Sequence, residues 1–105
     1  MRDFLDGLGK AQQAKVIAAI RMLEEEGPNL PFPYSSQVRG KVRELRIRFG
    51  RDRLRVLYFG DPERTFVLLH ALSKRTDRLL DSDIAIAEAR VDRHLKRLPK
   101  RRGQP

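Results

Sequence analysis

Two pairs of arginines, each pair spaced by two, carry the chemistry that this sequence suggests: Arg46 with Arg48, and Arg53 with Arg55. Residues two apart share a face of an extended chain. If the two runs pair as strands, four guanidinium groups gather on one side of a sheet. A second basic group, Lys74, Arg75 and Arg78, follows a run that holds His70. Guanidinium presents a planar fork to two phosphate oxygens, and an imidazole with a pKa near ~6.5 is the best proton shuttle in the chain. Such a set suits cleavage of RNA by its own 2′-hydroxyl. No metal is needed there, because the protein has only to orient the attack, neutralise the phosphorane and move protons. Blander readings stand beside this one. Arginines on a sheet are also solvated, or paired here with Glu44, Asp52 or Asp61. A histidine in an apolar strand is often a core residue, and Tyr58 reads as a core aromatic with its hydroxyl at the rim.

Other chemistries find less support. His70 and His94 stand apart, with no acidic or thiol neighbours at ligand spacing, so no metal or other cofactor is expected. None of the seven glycines falls in a phosphate-binding GxGxxG or GxxxxGKS pattern. No serine sits in a nucleophile elbow. With no cysteine there is neither a disulfide framework nor a thiolate site.

Charge points to a polyanionic partner. The 105 residues carry a net charge of +9, and it is unevenly spread. Residues 1–36 hold four Lys/Arg against five Asp/Glu, whereas residues 37–105 hold nineteen against nine. The basic stretch and the C-terminus are therefore where nucleic acid, or an acidic protein, would bind. The longest apolar run near the start, Val16 to Ile20, is too short to span a bilayer, and Asp3 and Asp6 stand where a signal peptide would be basic. A cytoplasmic protein without a membrane partner is expected.

The elements that must position these groups are legible from periodicity. Arg2 to Leu8 reads as a short helix. Gln12 to Glu26 reads as a longer one, with Val16, Ile20 and Leu23 in an apolar stripe helped by Ala19 and Ile17, and Gly27-Pro28 as its stop. Asn29 to Gly40, just after Pro28 and itself holding Pro31 and Pro33, reads as an irregular loop. Lys41 to Arg48, Arg53 to Phe59 and Thr65 to Leu72 read as strands joined too tightly for crossover helices, hence as an antiparallel meander. In it Leu45 and Ile47 face the core with Leu54, Val56 and Tyr58, leaving Arg46, Arg48, Arg53 and Arg55 on a basic sheet surface. The third strand is apolar nearly throughout, which predicts cover on both faces. Asp81-Ser82-Asp83 predicts an N-cap and a first-turn acid for a last helix reaching about Leu98, with Ile84, Ala87, Val91, Leu95 and Leu98 inward. One domain over residues 1–98 and a basic tail over 99–105 are expected.

The order of these parts, with VRELRIRFGRDRLRVLYF followed by FVLLHALSKRTDR, resembles the RelE/ParE superfamily of toxin–antitoxin toxins, and within it the phage-derived HigB-like branch. The resemblance spans about Arg2 to Arg97. It implies an α+β, RelE-like fold in the order α-α-β-β-β-α: an N-terminal helical hairpin and a C-terminal helix packed on one face of a small antiparallel sheet, without the strand that many members carry before the first helix. It implies a metal-independent endoribonuclease that cuts mRNA on the ribosome, and a cognate antitoxin, typically a HigA-like helix-turn-helix protein. Carried over by position, it gives Arg46, Arg55 and Arg75 the binding and polarising of phosphate, with Arg48, Arg53, Lys74 and Arg78 as RNA contacts. His70 falls in the branch's LLHAF-like signature, in a catalytic or a structural role. The alternatives are a ParE-like poison of DNA gyrase, acting through its C-terminal helix and tail, and a non-catalytic RNA-binding module.

Overall fold

The computed structural model describes residues 2–74 and 79–98. Its elements are α1 (Arg2–Asp6), α2 (Lys10–Glu26), a 3-10 turn (Gly27–Asn29), β1 (Ser35–Arg39), β2 (Val42–Phe49), β3 (Asp52–Gly60), β4 (Phe66–Lys74) and α3 (Asp81–Arg97). The four strands form one antiparallel sheet in the order β1-β2-β3-β4. The expected meander is present, and to it is added a strand where an irregular loop was expected. Pro31 and Pro33 mark the composition of Asn29 to Gly40, but they lie before residue 34. The segment Ser35–Arg39 after them is free to donate to a ladder, and it pairs with β2 from Ser35↔Leu45 to Arg39↔Val42. Gly40, at φ 56°, makes the turn back.

Alternation along β3 divides the core into two layers. Leu54, Val56 and Tyr58 pack with Leu45 and Ile47 against Val16, Ala19 and Leu23 of α2. Leu57 and Phe59 pack with Val42, Leu69 and Leu72 against Ala87 and Val91 of α3. The helices therefore take opposite faces of the sheet, and the expectation that they share one face is overturned. The reason lies in the sheet itself: Val42, Leu57, Phe59 and Leu69 make its second face apolar, and α3 covers it. The double cover predicted for the third meander strand is met in β4, whose Leu68 and Ala71 join the first layer and Leu69 and Leu72 the second. On α2 Val16, Ala19 and Leu23 are buried and Ile20 packs half-buried beside them, while Ile17 is exposed.

Polar side chains fasten the second layer. The cap of α3 is Leu80, without a side-chain bond, rather than a member of the Asp81-Ser82-Asp83 group. Asp81 and Asp83 lie instead in the first turn, where they suit the helix dipole. His70 Nε2 on β4 donates to Asp83 Oδ1 at 3.0 Å, tying strand to helix start. At the other end His94 donates to Asp61 Oδ2 at 2.9 Å. Asp61 Oδ1 also accepts the amides of Glu63 and Thr65, each at 2.9 Å, closing the β3–β4 loop. The Thr65 amide first, and then His94, hold the Asp61 carboxyl below the usual carboxylate range. Among the described residues no helix is long and apolar enough to cross a membrane.

Candidate nucleic-acid interface

Register gives the arginines their arrangement. In the β2–β3 ladder Arg46 lies directly opposite Arg55, and Arg48 directly opposite Arg53. Directly opposed like charges destabilise a strand pair, so two such pairs in succession are an arrangement that sheet formation alone does not favour. One carboxylate offsets part of the charge. Glu44, on the same face of β2, accepts from Arg55 Nη1 at 2.9 Å and from Ser36 Oγ at 2.8 Å, and lies 3.6 Å from Arg46 Nη1.

Burial then separates arginines that look alike in the sequence. Arg55 is 2% exposed and Glu44 is 5% exposed, so this is an ion pair inside the protein. The expected open basic surface is corrected at this position: Arg55 is a buried, paired guanidinium, because its place in mid-strand, opposite β4's Leu72, is covered. Arg46 and Arg53 are half-buried, and Arg48 is exposed.

All four arginines open onto one groove of about 530 Å³, shared with Lys15, Ala18 and Met22 of α2 and with Pro33 and Tyr34 before β1. That volume is in the range of about 300–1,000 Å³ usual for ligand sites. The groove exists because β1 stops pairing at Ser35↔Leu45, with one further bond from Arg46 N to Tyr34 O at 2.8 Å. Beyond it, no described strand pairs with Ile47, Arg48 or Phe49 on that side, so the groove wraps this edge and draws residues from both faces. Arg46 is also engaged from above, its guanidinium 5.1 Å from the centre of the exposed Phe32 ring.

Of the residues expected from sequence, Arg46, Arg48, Arg53 and Arg55 are thus gathered together. Lys74 ends β4 with its backbone opposite Arg53. Arg75 and Arg78 lie outside the described residues, as does the Lys74 side chain. His70 does not line the groove, and its imidazole is engaged by Asp83. Tyr58 is a core aromatic as its composition suggests, sharing a 2.6 Å hydrogen bond with the Ser35 hydroxyl. Sequence reasoning missed Lys15, Phe32 and Tyr34. Lys15 precedes the apolar stripe of α2 by one residue and so could have been assigned to the flank of that helix. Nothing in the composition of the proline-rich loop ties its aromatics to the arginines.

The sequence matches, over residues 3–92, the family described as phage-derived protein Gp49-like. It is also similar to a protein of Mycobacterium tuberculosis (strain ATCC 25618 / H37Rv) described as "Putative toxin HigB2", with 37% identity over 110 residues. That alignment covers 94% of this chain but 55% of the relative, so the chain spans about half the length of the curated protein it matches. No solved structure gives a significant match.

Proposed function

The chain belongs to the phage-derived Gp49-like protein family, and from that premise we propose that it is the toxin of a toxin–antitoxin pair, an endoribonuclease that cuts mRNA on the ribosome. The observation that carries this reading is the double arginine register, Arg46↔Arg55 and Arg48↔Arg53, opening onto a single groove. A polyanion offsets the repulsion that this register builds in. The similarity to a protein described as a toxin supports the biological role.

In the proposed reaction a ribose 2′-oxygen attacks the adjacent phosphorus and the bond to the 5′-oxygen breaks. The 2′-hydroxyl proton leaves to a base, and the departing 5′-oxygen gains a proton. The products are a 2′,3′-cyclic phosphate and a 5′-hydroxyl. Charge accumulates on the non-bridging oxygens during attack, and preorganised guanidinium donors stabilise it there without reorganising. Arg48 and Arg53 are accessible enough to contact the phosphate directly. Arg55, held by Glu44, acts from beneath by fixing Arg46 and the local field. Arg75, with Lys74 and Arg78, keeps in this proposal the phosphate-contacting role that the family resemblance implies. His70, bonded to Asp83, is assigned to stability first, although loss of that bond would free a proton-transfer group. The reading carries with it a cytoplasmic location and a cognate antitoxin of the helix-turn-helix, HigA-like kind that masks the basic groove.

Primer extension on a reporter mRNA in a purified translation system tests the proposal. Discrete new 5′ ends should appear only with ribosomes and this protein present, and should fade with Arg48→Ala and Arg75→Ala. Intact mRNA together with inhibited supercoiling by DNA gyrase would transfer the chain to the ParE-like alternative.

A further inference from the structure

We infer that Phe32 and Tyr34 form a base-stacking wall on the rim of the arginine groove, which makes the segment between α2 and β1 the part that grips single-stranded RNA by its bases. The inference rests on the reading of this groove as an RNA site and goes beyond it, assigning two aromatic residues that the phosphate chemistry does not use.

Three observations converge. First, these are large aromatic side chains left in solvent: Phe32 is 69% exposed and Tyr34 47% exposed, in a protein whose Tyr58 and Phe59 are each at most 2% exposed. Second, they stand against the phosphate-binding groups. Tyr34 lines the groove beside Arg46, Arg48 and Arg53, and Phe32 covers the guanidinium of Arg46 at 5.1 Å. Third, the segment is held rather than left loose. The amides of Tyr34 and Ser35 both bond to Pro31 O, at 2.9 and 3.1 Å, and the Tyr34 carbonyl accepts from Arg46 on β2 at 2.8 Å. The aromatic wall therefore keeps a fixed distance from the arginines, and little ordering remains to be done on binding.

Exposed rings next to a cationic groove match a ligand that offers planar apolar faces and negative charges in alternation. Single-stranded nucleic acid is that ligand, with phosphates in the groove and successive bases on the rings. A duplex hides its base faces, and an acidic peptide leaves the rings uncovered. RNA read in this way is read on splayed, unstacked bases, so the segment would favour nucleotides in the order of their stacking strength.

The test measures binding apart from cleavage. Fluorescence anisotropy is recorded with a labelled 2′-O-methyl RNA 12-mer, which lacks the attacking hydroxyl, and with an abasic strand of equal length and charge. Phe32→Ala and Tyr34→Ala should each weaken binding of the base-bearing strand about ten-fold, the scale of one stacked base. On the abasic strand they should change nothing. Phe32→Trp should restore the affinity, and all variants should melt as the parent does. Equal losses on both strands, unchanged affinity on both, or binding of neither strand by the parent would each overturn the inference; an unchanged affinity would leave the rings to a protein contact. Primer extension reports the nuclease reading separately. Stacking without mRNA cleavage would sink the cleavage step alone, and cleavage indifferent to both rings would sink this inference alone.

Discussion

Glu44 decides what an arginine substitution means in this protein. Its carboxylate sits between a fully buried guanidinium, Arg55, and a half-buried one, Arg46, and is also held by Ser36. Removing it takes from the buried Arg55 guanidinium its carboxylate partner at 2.9 Å. Glu44→Ala should therefore cost about 3–5 kcal/mol in urea unfolding, and Arg55→Ala should be comparably destabilising. Replacing both with apolar residues, Glu44→Leu with Arg55→Met, should recover most of that loss, because well-packed apolar side chains often equal a buried ion pair. Arg48 behaves differently. It is exposed and has no ion-pair partner among the described residues, so Arg48→Ala should stay within about 0.5 kcal/mol of the parent while weakening RNA binding. Loss of activity at an unchanged urea midpoint would assign Arg48 to function. For Arg55, which is 2% exposed, an activity assay alone cannot separate a structural role from a functional one.

At the level of elements, the two helices are independent clamps on the two faces of one sheet. Leu23 of α2 is 1% exposed in the first layer, and Leu23→Ala should cost about 2–5 kcal/mol by thermal or urea unfolding. The β3–β4 loop gives a pH dependence. The Asp61 carboxyl, held below its usual value of 3.8 by the Thr65 amide and His94, binds its proton less readily folded than unfolded. Its contribution to stability is thus fully present above the ordinary carboxylate range. It is lost as pH falls from there through the lower folded value. Melting curves recorded between about pH 6 and pH 2.5 should show the parent losing stability faster than Asp61→Asn over that acid window. A parallel decline in the two proteins would show that Asp61 does not drive the change. The loop between α2 and β1 belongs to this scale as well, since its bonds to β2 turn two surface aromatics into a fixed wall.

Across the whole molecule, charge and shape divide the labour. The charge is concentrated after residue 36, and the sheet gathers part of it at one edge. Binding of single-stranded RNA should weaken with salt in proportion to the phosphates neutralised, with a log–log slope of about −0.7 per contact. Arg48→Ala should make that slope shallower by about one contact's worth, uniformly across sequences. An unchanged slope would remove Arg48 from the phosphate path. The rim aromatics, by contrast, should alter affinity without altering the slope, because a stacked base releases no counterion.

The sequence by itself determined the secondary structure of most of the chain. The helical stripe of Val16, Ile20 and Leu23 with Ala19, the strand alternation around Leu45, Ile47, Leu54 and Val56, and the glycine stops are local patterns, and local patterns survive in one dimension. It also determined the arginine spacing, and with it a shared face. The family resemblance held, and so did the α+β class with an antiparallel meander. Tertiary structure alone decided the rest. A strand formed in a proline-rich segment because β2 had an edge to offer, and an edge is a property of the assembled sheet. Helices took opposite faces because both faces were apolar. Arg55 went inside and Arg48 stayed out, although both alternate in the same way along their strands, because burial depends on what neighbouring strands and helices cover. Phe32 and Lys15 reached the arginines from elements twelve or more residues away in the chain. No spacing rule connects them, since the contact is made by the fold.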